Sequence, residues 1–265
     1  MNSVINIIKA VNYQIKRDIT TYIAIGGGLL IALLPILEYG VDGLKELNGG
    51  MYAMSYLSVM MFIPYVMSCL IGACIIGKDM GDKTINYEIL AGHSRMDAFL
   101  ARVILAFVWD IGLCILVSAL PIGVVTLVNG WGNNVAFADM AARYIVNITS
   151  AFRINAFVIL ITMIVRHPAA GGFISYGVLN ASMLPLLVLS ETMDIKLYHS
   201  VAMADILYMS FISNMRQIVE NGEKITVYDM AISNSFLIGA IIVPIVVSVV
   251  YVVLACMIFK KRDLK

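Results

Sequence analysis

The segment Gly72–Lys78 has the residue spacing of a phosphate-binding loop, in which backbone N–H groups and a lysine hold nucleotide phosphates. It reads Gly72-Ala-Cys-Ile-Ile-Gly77-Lys78, but Asp79 stands where a serine or threonine would bind magnesium. The two glycines also lie at the end of an apolar run and not after a soluble strand. We therefore expect this chain to bind no nucleotide and to have no ATPase activity of its own.

Two charged residues inside apolar runs are the next candidates for chemistry. Asp110 lies roughly 10 Å into its run at 1.5 Å per helical residue, and Arg153 lies near the middle of the following run. An unpaired charge at such a depth in a membrane costs at least about 2.5–3.5 kcal/mol. We expect either that Asp110 and Arg153 pair or that both face a wet cavity.

A polar stripe accompanies Arg153, because Arg143, Asn147, Ser150 and Arg153 share one helical face. Such a stripe should face protein or water and not lipid. A structural role in the helix bundle and a role in lining a translocation path are both compatible with it. The spans contain no Ser–His, paired-carboxylate or HExxH arrangement, so we expect no catalytic residue, metal or cofactor in this chain.

The elements that position these residues are predicted to be membrane helices. The chain has 265 residues, of which 61% are hydrophobic and only 13% charged, whereas soluble domains are about one quarter charged. We predict one all-α, polytopic domain over residues 1–265 with six transmembrane helices, each about the 20 residues needed to cross a bilayer. The predicted spans are Thr20–Glu38, Met54–Ile76, Val103–Val128, Tyr144–Val165, Pro168–Leu189 and Phe236–Phe259.

The basic residues predict the orientation of these spans. With the N-terminus inside, the inner segments hold twelve lysines and arginines and the outer segments five, as the positive-inside rule requires. Both termini are therefore expected on the cytoplasmic side of a plasma membrane.

Two segments outside the spans have their own patterns. Residues 1–19 place Val4, Ile8, Val11, Ile15 and Ile19 on one face, which predicts an interfacial amphipathic helix, with a short soluble tail as the alternative. Residues 190–235 are predicted to form a long outer loop. Its amphipathic stretch from Ile206 to Val219 predicts a short outer or re-entrant helix.

Among the longer stretches between two spans, residues 77–102 have the highest density of charge. Thr84–Leu90 is predicted to form a short helix that ends with Gly92 at the C′ position. Ser94 is the predicted N-cap of the next helix, with Asp97 three positions on. Such a helix, attached to two spans, can transmit a push. A solvated loop that only connects the spans is the alternative.

In this context the chain resembles the permease subunits of bacterial ABC transporters of the type-2 exporter family. The resemblance rests on the order of the elements and on a motif after the second span. The motif positions are Asp79, Gly81, Thr84, Ile89-Leu90, Gly92, Arg95 and Arg102. Asp79 stands where a glutamate is commoner, and Asp82-Lys83 separates Gly81 from Thr84.

The resemblance implies a bacterial plasma-membrane transporter whose two permeases are copies or paralogues, and whose two cytoplasmic ATPases are separate subunits that bind ATP and magnesium. It implies that the N-terminal helix and the 77–102 segment contact the ATPases, and no contact with nucleic acid is expected. Permeases of this size resemble exporters of antimicrobial peptides, including lantibiotic immunity systems, and of drugs or other peptides. The expected ATPase-coupling residues are Asp79, Thr84, Glu88, Gly92, Arg95 and Arg102.

Two other functions remain open from the residues alone. A secondary transporter could use Asp110 and Arg153 for proton coupling, although the sequence has no internal repeat. A non-transporting membrane immunity protein could act through the long outer loop. No residue identifies a cargo, the direction of transport or the choice between a homodimer and a heterodimer of permeases.

Overall fold

The computed structural model describes residues 2–33, 47–60, 63–82, 84–193, 214–220, 223–229 and 231–261. Within these ranges the chain is mostly helical, with one two-stranded β-hairpin. The first half contains α1 (Asn2–Ile15), α2 (Ile19–Ala32), α3 (Gly49–Met60), α4 (Ile63–Met67), a π-helical segment (Ser68–Gly72), α5 (Ala73–Gly81) and α6 (Ile85–Leu90). The second half contains α7 (Arg95–Asn129), α8 (Phe137–Val165), α9 (Pro168–Met193), β1 (Asn214–Glu220), β2 (Glu223–Asp229) and α10 (Asn234–Lys261).

Three described helices, α7, α8 and α10, are long and apolar enough to cross a membrane. They contain 35, 29 and 28 residues, and they coincide with the third, fourth and sixth predicted spans. Among the described residues, α2 is a shorter apolar helix within the first predicted span, whose residues 34–38 lie outside the described ranges. The membrane character of the chain is thus supported, whereas the number of six spans stays a prediction.

The hairpin corrects the expectation of an all-α chain. The predicted outer helix ends at Val219, but residues 214–220 form the strand β1. This strand pairs antiparallel with β2, with Asn214 opposite Asp229 at one end and Glu220 opposite Glu223 at the other. The run Ile225-Thr226-Val227 favours a strand, and the two-residue connection has the sequence Asn221-Gly222, the pair most typical of hairpins. Residues 206–213 of the predicted helix lie outside the described ranges.

The hairpin lies at the end of the bundle where α7 stops and α8 begins. The Tyr228 N–H donates to the Asn134 carbonyl at 2.8 Å, and the Asn134 side-chain amide donates to the Thr226 carbonyl at 3.0 Å. Asn48 in turn donates to the Asn134 side chain at 2.6 Å. The connection between α7 and α8 is therefore in contact with the predicted outer loop of residues 190–235.

At the opposite end, α5 packs very closely against the start of α9. A Cβ atom added at Gly77 would lie 2.7 Å from the backbone N and Cα of Pro168 and 2.9 Å from Cγ2 of Thr162. Backbone atoms cannot move aside as a flexible side chain can. Glycine is therefore required at position 77 by the approach of the two helices.

Replacing Gly77 with alanine should consequently lower the stability of the fold. Overpacking of a close contact typically costs at least about 1 kcal/mol, so we expect a lower midpoint of thermal unfolding in detergent. The matched control is Gly112→Ala in α7, where an added Cβ meets nothing within 4 Å. Equal unfolding midpoints for the two variants would show that the close approach at Gly77 is not a packing constraint.

Candidate functional site

Arg102, in the third turn of α7, is the centre of a buried ionic network. Its Nε atom donates to Oδ2 of Asp79 at 2.8 Å, and Nη2 lies 2.6 Å from the same oxygen. Its Nη1 and Nη2 atoms donate to Oε2 and Oε1 of Glu88, both at 2.8 Å. The guanidinium group thus holds α5 through Asp79 and α6 through Glu88, and its side chain is only 1% exposed.

Thr84 completes the network at the start of α6. Its hydroxyl donates to Oδ1 of Asp79 at 2.9 Å, while Arg102 occupies the other oxygen of that carboxylate. Arg102 also donates from Nη1 to the Ala98 carbonyl within its own helix at 3.0 Å. Four of the six predicted coupling residues, Asp79, Thr84, Glu88 and Arg102, are therefore in direct contact. We call them the Arg102 network.

Gly92 ends α6 as its predicted C′ position requires. Its φ of 93° lies in the left-handed region, which favours glycine. The Gly92 N–H donates to the Ile89 carbonyl and the His93 N–H to the Glu88 carbonyl, which are the two bonds of a Schellman motif. Ser94 then caps α7 by accepting from the Asp97 N–H at 3.0 Å. Both capping predictions are confirmed.

Arg95 is the predicted coupling residue that stands apart from the Arg102 network. It lies in the first turn of α7 with an exposed side chain. The structure brings it near the end of α6 through the short Gly92–Ser94 connection. It is not one of the groups that hold α5, α6 and α7 together.

The outward face of α6 is apolar. Ile85 is buried, at 2% exposure, whereas Tyr87 and Leu90 are 72% and 82% exposed. An aromatic and a leucine side chain are thus exposed beside the Arg102 network. We call Tyr87 and Leu90 the α6 contact face.

The N-terminal helix α1 is attached to the same region. Ser3 and His93 are joined by a hydrogen bond of 2.6 Å, and Trp109 in α7 donates to Asn12 at 2.8 Å. The buried face of α1 contains Val11 and Ile15, as predicted, and also Ile7, which the predicted face left out. The structure therefore packs α1 against α7. Ile19, by contrast, belongs to α2 and is 69% exposed.

An ion pair connects the N-cap of α2, just after α1, with the second half of α5. Lys78 Nζ donates to Asp18 Oδ2 at 2.6 Å, and Asp18 also caps α2 through the Thr20 N–H at 3.0 Å. Burial alone would raise the pKa of Asp18, but the hydrogen bonds from Lys78 and Thr20 outweigh it and lower that pKa. The hydrogen bond to Asp18 raises the pKa of Lys78.

These two shifts define the pH range of the ion pair. Its contribution to stability is present between the ordinary pKa values of the two groups. It is lost at acid pH as Asp18 is protonated, and at alkaline pH as Lys78 loses its proton. Because the Lys78 side chain is 59% exposed, solvent screening keeps this contribution small.

Within the bundle, Asp110 has a partner that the sequence did not indicate. The residue is fully buried, and its Oδ2 atom accepts a hydrogen bond of 2.7 Å from Ser68 in the π-helical segment. No ion pair with Arg153 is among its contacts with the described residues. The direct pair of Asp110 and Arg153 is therefore not observed among the described residues, and Ser68 is the hydrogen-bond partner of Asp110. The alternative, that both residues face a wet cavity, stays a prediction.

The predicted polar stripe on α8 is buried inside the protein. Arg143, Asn147, Ser150 and Arg153 are at most 5% exposed, in agreement with the expectation that they avoid lipid. Sequence reasoning missed Asn155, which is fully buried on the same helix and donates to the Ala106 carbonyl in α7 at 2.9 Å. Its only signal was its polarity within a long apolar run.

Close contacts join α7 to the chain from Ser68 to Asp79 at successive levels of the bundle, and the middle contact runs through Asn155 of α8. Ser68 meets Asp110, and Gly72 lies next to Asn155, which bonds Ala106 one turn earlier on α7. Asp79 then meets Arg102. The Arg102 network is therefore the end of a line of close contacts that begins at the buried Asp110.

Comparisons with known proteins add no identity to this arrangement. No protein-family model, curated protein or solved structure matches the chain.

Proposed function

We propose that the chain is the membrane-spanning permease subunit of an ATP-driven ABC exporter in a bacterial plasma membrane. In this proposal it has six spans with both termini in the cytoplasm, and it pairs with a second permease, a copy or a paralogue. Separate cytoplasmic subunits bind ATP and magnesium and hydrolyse the ATP. The cargo is a peptide, an antimicrobial peptide or a hydrophobic drug that moves outward.

The observation that carries the proposal is the Arg102 network. A short helix can transmit a movement only if it is fixed to the elements that must move. Charge-assisted hydrogen bonds in bidentate geometry are the strongest of the side-chain contacts, and Arg102 makes them to α6 while also holding α5. A push on α6 would reach α5 and α7 together.

The α6 contact face supplies a place for the ATPase to push. Tyr87 and Leu90 lie on the helix that the Arg102 network holds. Both side chains are largely exposed in the part of the chain that the structure describes. Insertion of these two side chains into an ATPase groove would bury them. Movements of the ATPase during its nucleotide cycle would then pass through Glu88 and Arg102 to the spans.

Attachment of α1 favours the same role. The Ser3–His93 bond places the first turn of α1 beside the connection that follows α6. The Asn12–Trp109 bond and the buried Val11 fix the remainder of the helix to α7. The N-terminal helix would therefore move with α6 and enlarge the surface offered to the ATPase.

An affinity purification tests the proposal. Tagged chain is purified in mild detergent from cells of its source organism, and co-purifying proteins are identified by mass spectrometry. We expect a soluble subunit with Walker motifs, and an at least about tenfold lower recovery with Leu90→Glu, since burying an unpaired carboxylate in an apolar groove costs more than the about 1.4 kcal/mol of a tenfold change. Val219→Glu, on the hairpin, is the control because Val219 is 70% exposed in the chain.

Comparison with the control variant determines which results would contradict the proposal. Val219→Glu should recover the ATPase as the wild type does, since the hairpin lies at the other end of the bundle. Equal recovery with both variants would remove α6 as the docking site. Absence of a Walker-motif subunit from the wild-type preparation would contradict the assignment to ABC exporters.

An ion-coupled secondary transporter is a second candidate, and one observation favours it. Asp110 is a fully buried carboxylate whose Oδ1 atom has no hydrogen-bond partner among the described residues. Ionisable residues within membrane helices commonly belong to ion or proton pathways. Transport in proteoliposomes that follows an imposed ion gradient without ATP would select this candidate over the first.

A further inference from the structure

A cavity of about 420 Å³ lies beside the Asp18–Lys78 ion pair and the Arg102 network. Its walls come from the last turn of α1, the first turn of α2, and the chain from Ile71 to Thr84. The Asp18–Lys78 ion pair lies on its wall, and Asp79 of the Arg102 network lines it as well. A molecule in this cavity would touch α1 and α5 at once.

The lining of the cavity divides into an apolar part and a charged part. The apolar part consists of Val11, Ile15, Ile71 and Ile75, all buried at 7% exposure or less. The charged part includes the exposed side chains of Arg17 and Asp82. This division suits an amphiphile with a polar head and an apolar tail.

The position of the cavity along the chain points to a membrane surface. Asp18 immediately precedes the apolar helix α2, and Lys78 follows the apolar run that ends at Ile76. Both walls thus change from apolar to charged at the level of the Asp18–Lys78 pair. Tyr13 and Tyr22, which are 56% and 59% exposed, flank this level as tyrosines do at membrane interfaces.

The charged side chains of the cavity that are not already paired indicate which polar head group it can bind. Lys78 is paired with Asp18, and Asp79 is paired with Arg102. The Arg17 guanidinium lies over the Tyr13 ring at 4.5 Å, an arrangement that leaves its N–H donors accessible. Asp82 is exposed at the end of α5, and its carboxylate makes no ion pair with the described residues. Among the described residues that line the cavity, one cation and one anion are therefore left for a ligand.

We propose that this cavity binds the head group of a zwitterionic phospholipid with a primary amine, that is, of the phosphatidylethanolamine class. Arg17 binds the phosphate, Asp82 accepts hydrogen bonds from the ammonium group, and the first part of an acyl chain lies against Val11, Ile15, Ile71 and Ile75. The bound lipid connects α1 with α5 beside Asp79. The inference rests on the proposed membrane placement of α2 and α5, and it adds a lipid that would steady the surface offered to the ATPase.

Lipid retention tests the site directly. The purified full chain is equilibrated with equal amounts of phosphatidylethanolamine, phosphatidylcholine and phosphatidylglycerol, and the retained lipid is measured by native mass spectrometry. Loss of one charge-assisted hydrogen bond corresponds to about a tenfold change in affinity. We expect preferential retention of phosphatidylethanolamine by the wild type, and an about tenfold loss of it in Arg17→Gln and in Asp82→Asn. Lys9→Gln, an exposed change on α1 outside the cavity, should behave as the wild type.

Cys74, a half-buried residue of the cavity wall, gives an independent readout. In a variant with alanine at Cys69, Cys114 and Cys256, phosphatidylethanolamine should slow the reaction of Cys74 with a maleimide about tenfold relative to phosphatidylcholine. Equal retention of all three lipids by the wild type would overturn the proposal. Protection of Cys74 by inorganic phosphate alone, to the same degree as by the lipid, would also overturn it, because the site would then take a free phosphate.

The lipid site and the proposed function can fail separately. Arg17→Gln and Asp82→Asn leave Leu90 and the Arg102 network unchanged, so recovery of the ATPase with these variants should persist. Recovery of the ATPase would therefore not depend on the lipid preference. Missing recovery of the ATPase with the wild type, together with intact lipid preference, would contradict the proposed function and leave the lipid site standing.

Discussion

Replacing Arg102 with methionine should both destabilise the chain and abolish its recovery of an ATPase. Methionine retains most of the length of the side chain but none of its donors. Asp79 and Glu88 would then face each other without a cation, and removal of one partner from a buried ion pair costs about 3–5 kcal/mol. Because α6 would lose its contact with α7, the α6 contact face would no longer be held in position. The measurements are thermal unfolding in detergent and co-purification of the ATPase.

Two further variants separate charge from geometry. Arg102→Lys keeps the positive charge but cannot form bidentate contacts, so we expect an intermediate unfolding midpoint. Combining Arg102→Met with Asp79→Asn and Glu88→Gln removes the uncompensated charges and should recover most of the lost stability. It should not restore ATPase recovery, since α6 is still not bonded to α7. A triple variant that recovers the ATPase fully would show that the network serves stability alone.

Replacing Ser68 with alanine should have the second largest effect. The buried Asp110 side chain would lose the hydrogen bond of 2.7 Å to its Oδ2 atom, and leaving a buried polar atom without its partner costs about 1–3 kcal/mol. A double-mutant cycle with Asp110→Ala should therefore show a coupling energy of this size between positions 68 and 110. The free energy of unfolding in detergent provides the four values of the cycle.

A parallel cycle tests the pairing of Asp110 with Arg153. Asp110→Ala and Arg153→Leu should have effects that add to within about 0.5 kcal/mol, as for residues without a shared contact. A double variant more stable than either single variant would instead indicate that the two charges compensate each other. That result would restore the direct pair and remove Ser68 as the main partner of Asp110.

In the 77–102 segment the ends of the helices could be predicted from the sequence, whereas the contacts between the helices could not. Gly92 and Ser94 were predictable because capping depends on a few neighbouring residues, and the structure confirms both. The bond from Arg102 to Asp79 joins residues 23 positions apart in different helices. Its formation depends on how α5 and α7 are aligned, which local spacing does not determine.

The partner of Asp110 could not be predicted for the same reason. A buried carboxylate needs a donor, and an arginine in the next apolar run is the obvious candidate when only charges are considered. Ser68, 42 positions earlier, is the residue that meets Asp110. Serine is frequent in apolar helices and gives no signal of its own, so only the packing of the π-helical segment against α7 identifies it.

The hairpin was missed because a helical pattern was read across its first strand. From Ile206 to Val219 the apolar residues fit a helical face, yet Asn214–Glu220 pairs with a second strand of the same length. Pairing with the neighbouring strand overrode the weak helical periodicity of the seven residues in β1. The Asn221-Gly222 pair was the available signal for a hairpin.

Photo-crosslinking from position 87 tests the central claim most directly. Tyr87 lies on the exposed face of α6, so a photoreactive phenylalanine analogue there should be accommodated without disturbing the Arg102 network. In membranes of the source organism we expect a crosslink to a soluble subunit with Walker motifs, whose yield changes when ATP is added. Phe137, which is 67% exposed and is the first residue of α8 at the hairpin end of the bundle, is the control position and should give no such product. A crosslink from position 87 only to lipid, or the same products from both positions, would contradict the claim that α6 receives the force of an ATPase.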